Sequence, residues 1–120
     1  MKYEDLYNDF IALFPEDRQF FDDLCKENEA YAEDGIHIVF GLIVLPYIKK
    51  IVKESPEKAR KAFAFFEEME KSGDSRIAEV LEFTILEDLI TNEKASIELY
   101  SVYFGEETKA AAAAMGNWFK

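Results

Sequence analysis

One cysteine, Cys25, and one histidine, His37, stand in a chain of 120 residues. A lone thiol excludes an intrachain disulfide and fits a compartment where thiols stay reduced. A lone imidazole excludes a carboxylate-bridged dimetal bundle, which needs two Glu-x-x-His elements. Three prolines and five glycines leave little to interrupt regular backbone, and no run of alternating β-branched residues suggests a strand. The most apolar stretch, 36–48, falls short of the roughly 20 residues a membrane-spanning helix needs and contains His37 and Pro46. Met1-Lys2-Tyr3-Glu4-Asp5 has neither the basic nor the apolar region of a signal peptide, so a cytoplasmic home is expected. A Gly-rich phosphate loop, a Ser-centred elbow and a paired-Cys motif are all missing, so no cofactor and no enzymatic activity are expected.

What is present favours helix. Leu, Glu, Lys and Ala are abundant, and an apolar fraction of 49% suffices for one modest core. A single helical domain over 1–120 is therefore expected. The net charge of −11 is unevenly placed. Acidic groups dominate 1–34 and 62–107, whereas 49–61 carries Lys49, Lys50, Lys53, Lys58, Arg60 and Lys61. That balance repels nucleic acid and anionic membranes and speeds encounter with a basic protein. The basic patch lacks interleaved aromatics for base stacking, so its expected role is to match the acidic faces within the molecule, Glu57 and Lys61 being four apart.

Apolar spacing places seven helices. Tyr3, Leu6, Tyr7, Phe10, Ile11 and Phe14 mark a first helix stopped by Pro15. A second runs from Pro15 to about Ala32, with Phe20, Phe21, Leu24, Asn28 and Tyr31 along its stripe, until Asp34-Gly35 breaks it. A third spans 36–54, where Pro46 predicts either a kink or two short helices. Ser55 and Pro56 start a fourth, with Ala59, Ala62, Phe63, Phe66 and Met69 buried and Gly73 at its end. Asp74 or Ser75 caps a fifth over 75–91. Its apolar residues Ile77, Val80, Leu81, Phe83, Ile85, Leu86, Leu89 and Ile90 nearly encircle the axis, which predicts the central helix, and Glu87 or Asp88 then needs a polar partner. A sixth covers 92–104 up to Gly105, and a seventh, rich in alanine, 106–117, with Trp118 and Phe119 pinning the C-terminus. The expected fold is all-α, a compact bundle of about six to seven antiparallel helices. Phe65-Phe66-Glu67-Glu68-Met69 and Ile85-Leu86-Glu87-Asp88-Leu89 share one order, which leaves a HEAT-like stack of helix hairpins as the variant.

Candidate chemistry is sparse. Asp34 and His37 have ligand spacing for one helical face, but the remaining ligands are missing, so a capping or structural histidine is favoured. Cys25 with His37 as base is disfavoured because Asp22, Asp23, Glu27 and Glu29 raise a thiol's pKa. What remains is surface. Glu67, Glu68, Glu70, Glu79 and Glu82 on the fourth and fifth helices form one candidate partner-binding set. Glu98, Tyr100, Tyr103, Glu106 and Glu107 form the other, with tyrosines as anchors and acids as steering groups.

Phe40-Gly41-Leu42-Ile43-Val44-Leu45-Pro46-Tyr47-Ile48, then Ala62-Phe63-Ala64-Phe65-Phe66-Glu67-Glu68-Met69, Ser72-Gly73-Asp74 and Val80-Leu81-Glu82-Phe83-Thr84-Ile85-Leu86-Glu87-Asp88-Leu89 carry a likeness. Over residues 36–105 the chain resembles small helical bacterial proteins that include immunity proteins of polymorphic-toxin and contact-dependent growth inhibition systems. The resemblance implies a cytoplasmic inhibitor that binds a cognate toxin protein, a basic nuclease domain fitting best, and blocks it without chemistry. It carries over no contact residues. The alternative is a helical scaffold or adaptor that binds a cellular partner.

Overall fold

The computed structural model describes residues 1–116. Trp118, Phe119 and the expected last residue of the seventh helix, Asn117, lie outside the described residues. Within them the chain is helical, without strands, in seven segments. A 3-10 turn, Tyr3–Asp5, leads into α1, Leu6–Ile11. A second, Pro15–Asp17, leads into α2, Arg18–Asn28. Then come α3, continuous over 36–54, α4, Pro56–Lys71, and α5, continuous over 75–92. The 3-10 turn Lys94–Ser96 precedes α6, Glu98–Ser101, and α7 is Glu106–Met115.

The two ends of α4 and the start of α5 follow from capping chemistry. Ser55 Oγ accepts the Lys58 N–H at 3.2 Å with Pro56 in the first helical position. Gly73, at φ +77°, supplies the left-handed residue past the end of α4. Asp74, not Ser75, caps α5, its Oδ1 accepting the Arg76 N–H at 2.9 Å.

Three expectations need correction. α2 ends at Asn28, short of Ala32, because Glu29 turns left-handed at φ 52° and Asn28 Nδ2 bonds back to the Leu24 carbonyl; Asn28 and Tyr31 leave the buried stripe. The sixth helix is much shorter than 92–104. Its last turn tightens, with Tyr103 N–H bonding to the Tyr100 carbonyl and Phe104 N–H to the Ser101 carbonyl. Consecutive Tyr103 and Phe104 rings can thereby both stack on Phe63, with centroids 5.9 and 5.6 Å away. Pro46 does not split α3 into two helices. A π-helical segment, Phe40–Val44, precedes the proline, and Leu45 N–H bonds five residues back to the Phe40 carbonyl. The wider turn absorbs the missing donor inside an unbroken helix.

α5 carries a π segment of its own, Val80–Leu86, packed against that of α3. The two approach closely at Gly41, where a Cβ would stand in van der Waals contact with Thr84 Cγ2, 3.4 Å away. α3 and α5 run in the same sense rather than antiparallel: His37 meets Thr84, and further along Lys49 meets Asp88 and Glu93.

One continuous core extends from Leu6 to Ala112, and with a radius of gyration of 13.5 Å the arrangement is a compact bundle rather than a linear stack. Leu81, Ile85, Leu86 and Leu89 are buried as expected of a central helix, but Phe83 faces solvent. At one end the core is aromatic: Phe10 touches Phe14, Phe40, Tyr47, Phe65 and Phe66.

Candidate binding surface

The residues first suspected of chemistry are held apart. Gly35, at φ +123°, separates Asp34 from α3, and the Asp34 carboxylate instead accepts the Tyr31 N–H at 2.8 Å. The two do not share a helical face. His37 Nδ1 lies 2.8 Å from Thr84 Oγ1, tying α3 to α5. Cys25 is buried with its Sγ 3.3 Å from the Tyr7 hydroxyl. Burial, and the thiol beside it, push the Tyr7 phenol well above its ordinary pKa. Among the described residues no three His, Cys, Asp or Glu side chains converge as metal ligands would.

Lys49, Lys50 and Lys58 of the basic patch pair with carboxylates of the fold, whereas Lys53, Arg60 and Lys61 are exposed. Lys58 Nζ lies 2.7 Å from Asp17, which also accepts the buried Tyr47 hydroxyl at 2.6 Å. Burial raises the Asp17 carboxyl, but the bonds from Lys58 and Tyr47 outweigh it and hold the group below the usual carboxylate range. Asn92 donates to Asp88 Oδ2 at 2.9 Å, while the buried Oδ1 has the Lys49 charge 3.0 Å away but no hydrogen-bond partner among the described residues. Lys50 pairs with Glu54 at 2.8 Å. Lys61 reaches the Leu13 carbonyl at 3.3 Å, not Glu57.

The ten candidate binding residues divide. Tyr100 is a correction: it is 1% exposed, a core side chain whose hydroxyl donates to Glu93, and burial followed by the Glu93 charge pushes its pKa up to about 12. It cannot anchor a partner on the surface. Tyr103 is half-buried against Phe63. Glu67 works inside the fold, accepting the Glu107 and Thr108 N–H groups at 2.9 Å and the Thr108 hydroxyl at 2.8 Å. A side chain from α4 thus caps the N-terminus of α7, and a Cβ at Gly105 would collide with it. Burial raises the Glu67 carboxyl, but those three bonds bring it below its ordinary value. Glu70 and Glu82 are half-buried and face each other across α4 and α5. Burial first, then the bond to Glu82 and its charge, push the Glu70 carboxyl up to about 8, and Glu70 Oε2 is buried with no donor among the described residues. Glu68, Glu79, Glu98, Glu106 and Glu107 are exposed, and their carboxylates are unpaired among the described residues.

The structure adds apolar groups that spacing did not single out. Ile38 is 46% exposed, Leu42 43% and Phe83 57%. Leu99 and Val102, the latter 73% exposed, edge a shallow hollow of about 590 Å³ with Val52 and Tyr103. Two signals were available. The run 36–45 holds more apolar residues than one buried helix face accommodates, and a helix apolar all round must leave some member outside when its neighbours do not enclose it.

These features define an all-α domain. The chain belongs to a family known as a domain of unknown function, DUF7674, whose model matches residues 7–118. Neither a curated protein nor a solved structure matches it. No helix among the described residues is long and apolar enough to cross a membrane.

Proposed function

We propose that this protein neutralises a basic toxin protein, a nuclease domain being the best fit, by stoichiometric binding in the cytoplasm and without chemistry of its own. One observation carries the reading. Two cations of the basic patch are committed to partners within the fold, Lys58 to Asp17 and Lys49 to Asp88. The surplus negative charge is left on outward carboxylates such as Glu68, Glu79, Glu98, Glu106 and Glu107. A basic substrate cleft is the natural complement of such a surface, which accelerates encounter and resists polyanions.

Co-expression with a cognate toxin tests the proposal. Cells are expected to survive, and the association rate is expected to fall steeply as salt rises. Survival no better than with an unrelated acidic protein removes the reading. A rate that ignores salt removes its electrostatic part. The alternative of a helical adaptor is favoured if a housekeeping protein is recovered reproducibly from native cells and no toxin is.

A further inference from the structure

We infer that the exposed seam between α3 and α5 is the docking surface, and that it receives an amphipathic helix bearing Lys and Arg beside its apolar stripe. This rests on the binding reading above and specifies its partner element. Ile38 and Leu42 lie one turn apart on α3, and Phe83 lies on α5. His37 and Gly41, the residues before Ile38 and Leu42, meet Thr84, the residue after Phe83. On the opposite side of the same contact Ile36, Phe40 and Ile85 are buried. The exposed three therefore share the outward side of the seam. The two π segments coincide there, and such widened turns occur often at functional sites.

Charge selects the occupant. Glu79 and Glu87, four residues either side of Phe83, are exposed, and Glu33 and Asp34 stand at the N-terminal end of α3. On the same two helices Lys49 pairs with Asp88 and Arg76 with Asp74. An apolar centre inside a rim of one sign calls for apolar anchors inside a basic rim. The α6 hollow has a single charged residue, Glu98, in its lining, and the hollow that adjoins it at Val102 and Tyr103 mixes Arg60 with Glu67. Backbone geometry decides the partner's shape. Strand addition needs a sheet edge, and the described residues form no strand, whereas two helices side by side present the rows that accept a third helix.

Two synthetic peptides of identical Leu/Lys composition provide the test, one with Leu at helical spacing and one shuffled. The striped peptide is expected to bind at least about tenfold more tightly, a difference of about 1.4 kcal/mol, and to shift the amide resonances of 37–42 and 79–87. Phe83→Ser and Leu42→Ser, at exposed positions, should keep the helical circular dichroism and lose that preference. Glu79→Lys with Glu87→Lys should abolish most of the salt dependence. Equal binding of both peptides, shifts centred on α6, or full binding by the serine variants overturns the inference. Toxin co-expression separates the two levels. Survival conferred undiminished by Phe83→Ser overturns the seam and leaves neutralisation standing; peptide binding at the seam without any protection does the reverse.

Discussion

Asp17 and Glu70 are both half-buried carboxyl groups that bridge helices, and their surroundings are opposite. Asp17 lies at the aromatic end, where it gathers a cation and a phenol, Lys58 and Tyr47, from two other helices. Glu70 lies where α4 meets α5, against a second acid, Glu82, with Glu67 and Glu107 adding further negative potential. One site is held by opposite charge; at the other, burial and a facing acid favour the neutral form of Glu70. Carboxylate count alone therefore says little about an acidic protein; what each acid faces decides whether it stabilises the fold or strains it.

The comparison can be broken most severely in the core beside each site. Phe10→Ala removes a ring that touches five others and is expected to cost about 3–5 kcal/mol by urea titration. Leu86→Ala, on the α5 side and also fully buried, is expected to cost about 2–5 kcal/mol. A change within experimental error at either site would mean that its helix is misplaced.

Smaller effects sharpen the contrast. Asp17→Ala strands the Tyr47 hydroxyl and Lys58 and is expected to cost about 1–3 kcal/mol at neutral pH. Because its folded pKa is lowered, Asp17 contributes stability above its unfolded value of 3.8 that is lost as pH falls through the folded value. The variant should therefore flatten the acid limb of the stability curve. Glu67→Ala removes the cap on α7 and is expected to cost about 0.5–2 kcal/mol, read as faster amide exchange in 107–112.

Glu70→Gln is the mildest change and the most diagnostic. Its raised pKa means that the neutral acid is favoured in the fold. Stability is full below the unfolded value of 4.5 and falls as pH rises toward about 8. The variant should match the parent near pH 4.5 and be the more stable protein at pH 8. A parent stability that rises across that window would overturn the raised Glu70 pKa.

Much of the helix layout was legible because its signals are local. Ser55-Pro56, Gly73 and Asp74 act on the backbone beside them, and the stripe Ala59, Ala62, Phe63, Phe66, Met69 needs only helical period to be read. Glu67 was not legible as a cap, since the helix it caps begins 39 residues later and the pairing exists only after folding. Tyr100 was misread as surface because a tyrosine among carboxylates is consistent with either side of a helix until its neighbours are known. The π segments were invisible for the same reason, as one extra residue in a turn leaves apolar composition unchanged.

By itself the sequence determined the all-α class, the starts and stops of the central helices and the excess of negative charge, all properties of neighbouring residues or of totals. Tertiary structure alone decided which acids face a cation, which face another acid, and that Ile38, Leu42 and Phe83 emerge together on one seam. Those outcomes depend on contacts between residues some tens of positions apart, and such contacts are fixed by packing of the whole core rather than by any local preference.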